Sequence, residues 1–475
     1  MSLDEKELKK IVEQVVYRLK KREEPAVSQA QETSTAPRPG GKGVFPTVDE
    51  AFEAAAIAFR QLSQTTLKKR DEIISAYRSF CRKEVEFLAR TAVEETGFGK
   101  VADKIKKNML AIERTPGLED LTPLIFRGDH GLTLEECAPF GVIASITPST
   151  NPAATVINNS ISMVSAGNTV VFNNHPAARR SSLRAVELMN EASLSVGGPL
   201  NIVTAIENPS METSRAVMNH KKARLLVVTG GEAVVHEAFK SGKKVMAAGP
   251  GNPPVVVDET ADLEKAGRDI VNGASFDNNV LCIAEKEIIA VDQIADRLKE
   301  VMRVNGAYEL KKDEIEKLEK VIMNPQGGPN RKFIGRDAAV ILREIGINVG
   351  SQIRLILCET PASHPFVLTE LLMPVLPLVR VANISQAIDL ACEVELGNLH
   401  TAIMHSKNIQ NLHDLARQIN TTIFVKNGSS YNGLGFDGEG PTTLTICTPT
   451  GEGVTTAKTF TRKRRCVLVD YFKII

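Results

Sequence analysis

Short apolar runs of strand length, each followed by a helical stretch, recur from residue 141 onward and constrain the fold more than any other feature of the chain. GVIASI (141–146), NTVVFN (168–173), ARLLVVTG (223–230), KKVMAAG (243–249) and PPVVVD (253–258) form one set, with helical stretches such as ARRSSLRAVELMNEA between them. EKEIIAV, RLILCE, LPLVRV and HTAIMH form a second set from about residue 283. Strands joined through helices run parallel, so the fold class is α/β with doubly wound sheets. Two such domains are the economical count. Upstream, residues 47 to 114 read as helix, punctuated by Gly97 and Gly99, and the final RKRRCVLVDYFKII reads as a basic turn leading into one strand.

The N-terminal segment differs from this pattern. Leu8, Ile11, Val12, Val15, Val16 and Leu19 recur at helical spacing within residues 1–22, which predicts an amphipathic helix. Residues 23–43 are rich in Pro, Gln, Ser, Thr and Gly and read as a flexible linker. A tethered helix of this kind is expected to bind a partner. The same N-terminus mixes acids with bases, and no run approaches the ~18 apolar residues of a membrane span, so neither secretion nor a membrane is expected.

Charge and cysteine usage narrow the function class. Lys plus Arg total 58 against 57 Asp plus Glu, leaving a net charge of +1 and no global field to attract a nucleic acid. Seven cysteines stand without a CxxC pair, which suits neither a disulfide framework nor a zinc finger and predicts a reducing cytoplasm. The histidines show no HxxxH or HExxH spacing, so no metal site is expected.

Two glycine patterns invite a cofactor reading. Gly433, Gly435 and Gly438 spell GxGxxG, but no helix pattern follows, so they are read as a loop at a pocket mouth. Val228-Thr229-Gly230-Gly231 ends an apolar strand and opens the helical EAVVHEAFK, where backbone N–H groups can meet a phosphate or simply make a tight turn. Among the cysteines, Cys81, Cys358, Cys392 and Cys466 sit in helix or strand patterns and are expected to be small buried hydrophobes. Cys282 differs, because it follows the small, polar NGASFDNNVL at a loop-to-strand junction where a nucleophilic thiol is both accessible and hydrogen-bonded.

TPSTNP (147–152), VVTGG (227–231), AAGPGNPP (247–254), NGASFDNNVLC (272–282), TELLMPVLPLV (369–379) and PTGEGVTTAKTFTRKRRCVLVD (449–470) together resemble the aldehyde dehydrogenase superfamily. Within it they are similar to the CoA-acylating propionaldehyde and acetaldehyde dehydrogenases of bacterial microcompartments. The resemblance runs from about residue 44 to the end, and residues 1–22 match that family's encapsulation peptide. It implies a Rossmann-like cofactor domain (44–250), a catalytic α/β domain (251–445), and a bridging oligomerisation arm built from 122–138 and the C-terminal segment 446–475. It also implies NAD as cofactor, coenzyme A and a small aldehyde as substrates, a homodimer or homotetramer, and binding to shell proteins inside a cytoplasmic microcompartment.

The resemblance further assigns roles. Cys282 matches the nucleophile and Asn151 the oxyanion donor, with Thr150 a rival for the latter role. Pro148, Ser149, Thr229, Gly230 and Gly231 fall on the cofactor-binding turns, and Glu370 matches the acid that holds the nicotinamide ribose. Hydrolytic relatives carry a water-activating glutamate where this chain has Ala248-Gly249-Pro250-Gly251-Asn252. The general base is missing, and a thiol acceptor such as CoA does not need it. The rival readings are a hydrolytic dehydrogenase with another base and a catalytically weak scaffold. The family's cofactor-binding lysine is replaced here by Asn173-Asn174-His175, which leaves NAD against NADP open, with Arg179 and Arg180 nearby.

Overall fold

The computed structural model describes residues 42–474; residues 1–22 and nearly all of the stretch 23–43 lie outside the described residues. In chain order the first strands are β1 (Val44–Phe45), β2 (Leu124–Gly128), β3 (Gly131–Pro139), β4 (Val142–Ile146), β5 (Thr169–Asn173), β6 (Val203–Ile206), β7 (Ala223–Thr229) and β8 (Val245–Ala248). Six of them form a parallel sheet in the order β1-β6-β5-β4-β7-β8. The chain winds outward from β4 through β5 to β6, then returns to the other side of β4 for β7 and β8. The direction therefore reverses between β4 and β7, and a crevice at their carboxyl ends is where such sheets bind ligands. Thr147 to Asn151 and Thr229 to Gly231 both lie there.

Every residue of β4, β5, β6 and β8 is buried, which is why these strands read as unbroken apolar runs and not as alternating ones. The helix Pro152–Ser165 after β4 is buried along its whole length. Two of its asparagines reach other segments: the Asn158 amide donates to Thr115 Oγ1 (2.9 Å) while its Oδ1 accepts the Leu444 N–H (3.0 Å), and Asn159 Oδ1 accepts from Thr445 Oγ1 (3.1 Å). Those bonds tie residues 442–445 to the first sheet.

The second sheet comprises β9 (Pro254–Val257), β10 (Glu287–Val291), β11 (Ala307–Glu309), β12 (Leu355–Glu359), β13 (Val375–Val381), β14 (Thr401–His405) and β15 (Ile423–Lys426), parallel in the order β11-β12-β13-β10-β9-β14-β15. A short antiparallel pair follows, β16 (Ile446–Cys447) with β17 (Gly453–Val454). Finally β18 (Thr461–Val469) pairs antiparallel with β3, and β3 with β2, as a three-stranded arm.

Two expectations are corrected in this arm. RKRRC is not a turn, because β18 begins at Thr461 and runs through it, stabilised by cross-strand charge pairing: Glu135 meets Arg465 (3.0 Å) and Lys463 (3.2 Å). Cys466 is exposed and not buried, because the arm has no second layer in the single chain. Phe126 and Val467 each pair with a residue of β3 at Thr133, so they share one face, and both are more than half exposed.

Candidate functional site

Cys282 lies at the end of a loop that reverses the chain between the helix Leu263–Ser275 and β10. Asp277, Asn278 and Asn279 in that loop adopt left-handed backbone with φ of 48°, 55° and 66°. Asn and Asp tolerate this conformation better than other side-chain-bearing residues, which accounts for the DNN of the sequence. Their side chains then hold the reversal: Asn278 Nδ2 donates to Gly335 O and Asp337 Oδ1 (both 2.9 Å), and Asn279 Nδ2 to Ala274 O (2.9 Å). Lys286, itself buried, donates to Asn279 Oδ1 (2.6 Å) and Leu281 O (3.1 Å). Cys282 is half-buried. Burial and then the Glu370 carboxylate push its thiol up to about 12, with Lys286 and Lys107 pulling the other way.

Gly251 packs directly against this loop. A side chain there would collide with the Cys282 carbonyl oxygen and lie 3.1 Å from His400 Cγ, so glycine lets Cys282 and a histidine share one neighbourhood. His400 is fully buried; its Nδ1 lies 2.9 Å from Thr401 Oγ1, and its Nε2 has no partner. Burial, reinforced by the Lys286 charge, brings this imidazole down to about 4 and keeps it neutral at pH 7. Sequence reasoning read HTAIMH as a strand and missed His400, because no spacing links it to Cys282. Glu370, in the connection between β12 and β13, is held above the usual carboxylate range by burial while Lys286 and the Gly251 N–H oppose the shift. Cys282, Glu370, Lys286, Gly251 and His400 thus converge. Ala248 is buried at the end of β8, and Asn252 donates to Val367 O (2.9 Å) and Val394 O (2.8 Å), so no carboxylate stands on this stretch.

Across the crevice, Pro148, Ser149 and Thr150 are half-buried and lead from β4 to Asn151, the N-cap of the helix Pro152–Ser165. Asn151 Oδ1 accepts from the Lys107 ammonium at 2.5 Å, and the same ammonium donates to Val280 O (3.3 Å) in the nucleophile loop. Asn151 Nδ2 lies 3.3 Å from Thr150 Oγ1, so the two rival residues are neighbours held together. Lys107 belongs to the helix Val101–Arg114, which sequence reasoning registered only as helix. Burial brings its ammonium down to about 8 although Asp277 favours the charged form.

The glycine turn stands where a dinucleotide would approach. Gly231 caps the helix Glu232–Lys240, and no protein atom lies within 4 Å of the position a Cβ on it would take. Neither Gly230 nor Gly231 has positive φ, so the turn itself does not demand glycine, whereas close backbone approach by a phosphate does. Asn174 Nδ2 is buried without a partner nearby, while Asn173 is committed to Ser214 (2.7 Å) and Thr213 (2.8 Å). These residues fit a nicotinamide dinucleotide. Arg179 faces Glu207 at 3.8 Å, and the Arg180 N–H donates to Glu95. Beside the Cys282 loop, Leu110, Phe276, Leu281, Tyr431, Leu434 and Phe436 line a small pocket together with Lys107 and Leu444. The GxGxxG glycines belong to this region, on the 3₁₀ turn Ser430–Leu434 and the loop after it.

Comparison with known proteins agrees with this geometry. The profile of the aldehyde dehydrogenase family matches residues 26–325. The chain is 49% identical to acetaldehyde dehydrogenase (acetylating) EutE of Salmonella typhimurium, over 100% of both chains. It superposes on Rhodopseudomonas palustris propionaldehyde dehydrogenase, solved with bound CoA and an acylated cysteine, with a TM-score of 0.89 and 52% identity, covering 90% of this chain and 98% of that one. The propionaldehyde dehydrogenase of the Clostridium phytofermentans fucose utilisation bacterial microcompartment gives a TM-score of 0.90 at 48% identity, covering 91% and 100%. That enzyme has also been solved as a cysteine-to-alanine and a histidine-to-alanine variant, whose altered positions are separated by the same number of residues as Cys282 and His400. Four parallel lines, the doubly wound sheets, the cysteine loop, the dinucleotide turn and these relatives, lead to one assignment: the chain belongs to the aldehyde dehydrogenase family, in its CoA-acylating branch.

Proposed function

We propose that the Cys282 thiolate attacks a short aliphatic aldehyde, that the adduct is oxidised on the enzyme, and that CoA removes the acyl group as acyl-CoA. The observation that carries this reading is the Gly251 contact, shared by the Cys282 carbonyl and by His400, a buried histidine with an unpartnered Nε2, in a chain with no glutamate on the stretch 248–252. Attack on the carbonyl gives a thiohemiacetal alkoxide, for which the Asn151 amide and the Cys282 N–H serve as donors in this reading. Pro148, Ser149, Thr229, Gly230, Gly231 and Glu370 would hold the nicotinamide dinucleotide, which would supply the hydride acceptor for that carbon. The resulting thioester is cleaved by the CoA thiol, whose proton passes to His400 Nε2. A second tetrahedral adduct then collapses to acyl-CoA and the Cys282 thiolate. The histidine variant made in the Clostridium enzyme supports a role at this position. The apolar side chains beside Leu281 support a short aliphatic aldehyde, acetaldehyde or propionaldehyde.

The EutE name and the fucose microcompartment of the relatives support a location inside a bacterial microcompartment, with residues 1–22 as the segment that meets the shell. The exposed apolar face of the arm supports a homodimer or homotetramer. The deciding experiment supplies propionaldehyde and NAD without CoA. One NADH per site should appear in a burst and then stop, with the acyl mass on Cys282; adding CoA should restore turnover, and Cys282→Ala should show neither phase. Sustained release of free carboxylate at the rate of NADH formation, without CoA, would instead establish hydrolysis.

A further inference from the structure

The oxyanion loop and the nucleophile loop are joined by two lysines one helical turn apart. Lys104 and Lys107, on the helix Val101–Arg114, are both nearly fully buried. Lys104 donates to Thr150 O (3.2 Å) on one loop and to Asp277 Oδ2 (3.0 Å) on the other. Lys107 donates to Asn151 Oδ1 on one loop and to Val280 O on the other, and also pairs with Asp277. Asp277 is fully buried, accepts the Lys100 N–H (2.8 Å), and gives its own N–H to Asp103 (3.0 Å).

An asparagine amide presents an acceptor at one end and donors at the other, and only its surroundings decide which end faces a substrate. An ammonium carries donors only. Turning the Asn151 amide over would set its NH₂ against the Lys107 NH₃⁺, losing a charge-assisted bond and opposing two donors. We propose that Lys107 is the positioning residue that fixes the Asn151 amide with its oxygen turned away and its NH₂ available to the alkoxide on Cys282. The inference rests on the reading of Asn151 as the oxyanion donor. Loss of Lys107 does not strand Asp277, because Lys104 still pairs with it.

The test measures the NADH burst rate with propionaldehyde and NAD in the full-length chain. It uses Asn151→Ala, Lys107→Met, Lys107→Gln, Lys107→Arg and the double variant Asn151→Ala/Lys107→Met. Asn151→Ala should slow the burst by about 10²- to 10³-fold. Lys107→Met and Lys107→Gln should slow it by roughly 10- to 100-fold with little change in aldehyde KM, as for a group that orients a reacting one. Arginine, also donor-only, should retain more activity than glutamine, which can pair with either end of the amide through its NH₂ or its oxygen. The double variant should be no slower than Asn151→Ala within about twofold, because an absent amide needs no orientation. Lys107 losses that multiply with Asn151→Ala, or rates that follow melting temperature and not donor character, would overturn the proposal. If Lys107→Met does not fold, the cycle is run with Lys107→Gln and read in the same way. An unchanged burst in Asn151→Ala would remove the oxyanion reading and this proposal with it; a slow Asn151→Ala beside fast Lys107 variants would remove this proposal alone.

Discussion

A neutral, buried imidazole serves a thiol acceptor well only if its effect is confined to the step that consumes the thiol. His400→Ala should therefore leave the CoA-independent NADH burst within several-fold of wild type and lower CoA-dependent turnover by about 10²- to 10⁴-fold. Stopped-flow burst amplitudes beside steady-state rates separate the two steps. The same burial has a stability consequence. His400 and His405 are both held at about 4, below the ordinary 6.5 of an unfolded histidine, so the unfolded chain takes up their protons first. Their contribution is complete above pH 6.5 and lost as pH falls toward 4, by roughly 3 kcal/mol for each. His405→Gln should remove about half of that pH dependence, measured as denaturation midpoints between pH 7 and pH 5. At this scale Cys282 was marked by its small, polar surroundings, and Asn151 and Glu370 were marked through the family resemblance. His400 and Lys107 were not, since their surroundings arise only when distant elements meet.

Among the elements, the strands of both sheets were readable from apolar runs, because strands covered on two faces need no polar alternation. The short β6, β11 and β15 lay within stretches too brief to signal themselves. The arm was harder still: β18 looks basic and turn-like in isolation, and it becomes a strand through the carboxylate of Glu135 on β3. Its remaining apolar surface sets up a prediction. Phe126→Glu with Val467→Glu, on one face of the arm, should shift the protein to a smaller assembly in analytical ultracentrifugation without unfolding the two parallel sheets. An unchanged sedimentation coefficient would place the subunit contact elsewhere.

Taken as one molecule, the protein has its candidate site at the carboxyl ends of the strands of the first sheet, closed from the other side by the Cys282 loop before β10. The segment 1–43 reads in the sequence as an amphipathic helix on a polar linker. Its removal should leave the turnover of purified enzyme within about twofold while abolishing co-purification with compartment shells; an inactive or unfolded truncation would show that the segment belongs to the enzyme body. The arm imposes an order in time on the whole. β18 pairs with β3 across more than 300 residues of sequence, Thr461 opposite Pro139 and Val469 opposite Gly131, so a growing polypeptide carries β2 and β3 without their partner until residues 461–469 have been synthesised. During that interval the hairpin is an unpaired edge, the kind of surface that recruits other chains. A chaperone that shields it on the ribosome, or slow translation before residue 461, would thus govern the yield of assembled enzyme more than any change near Cys282.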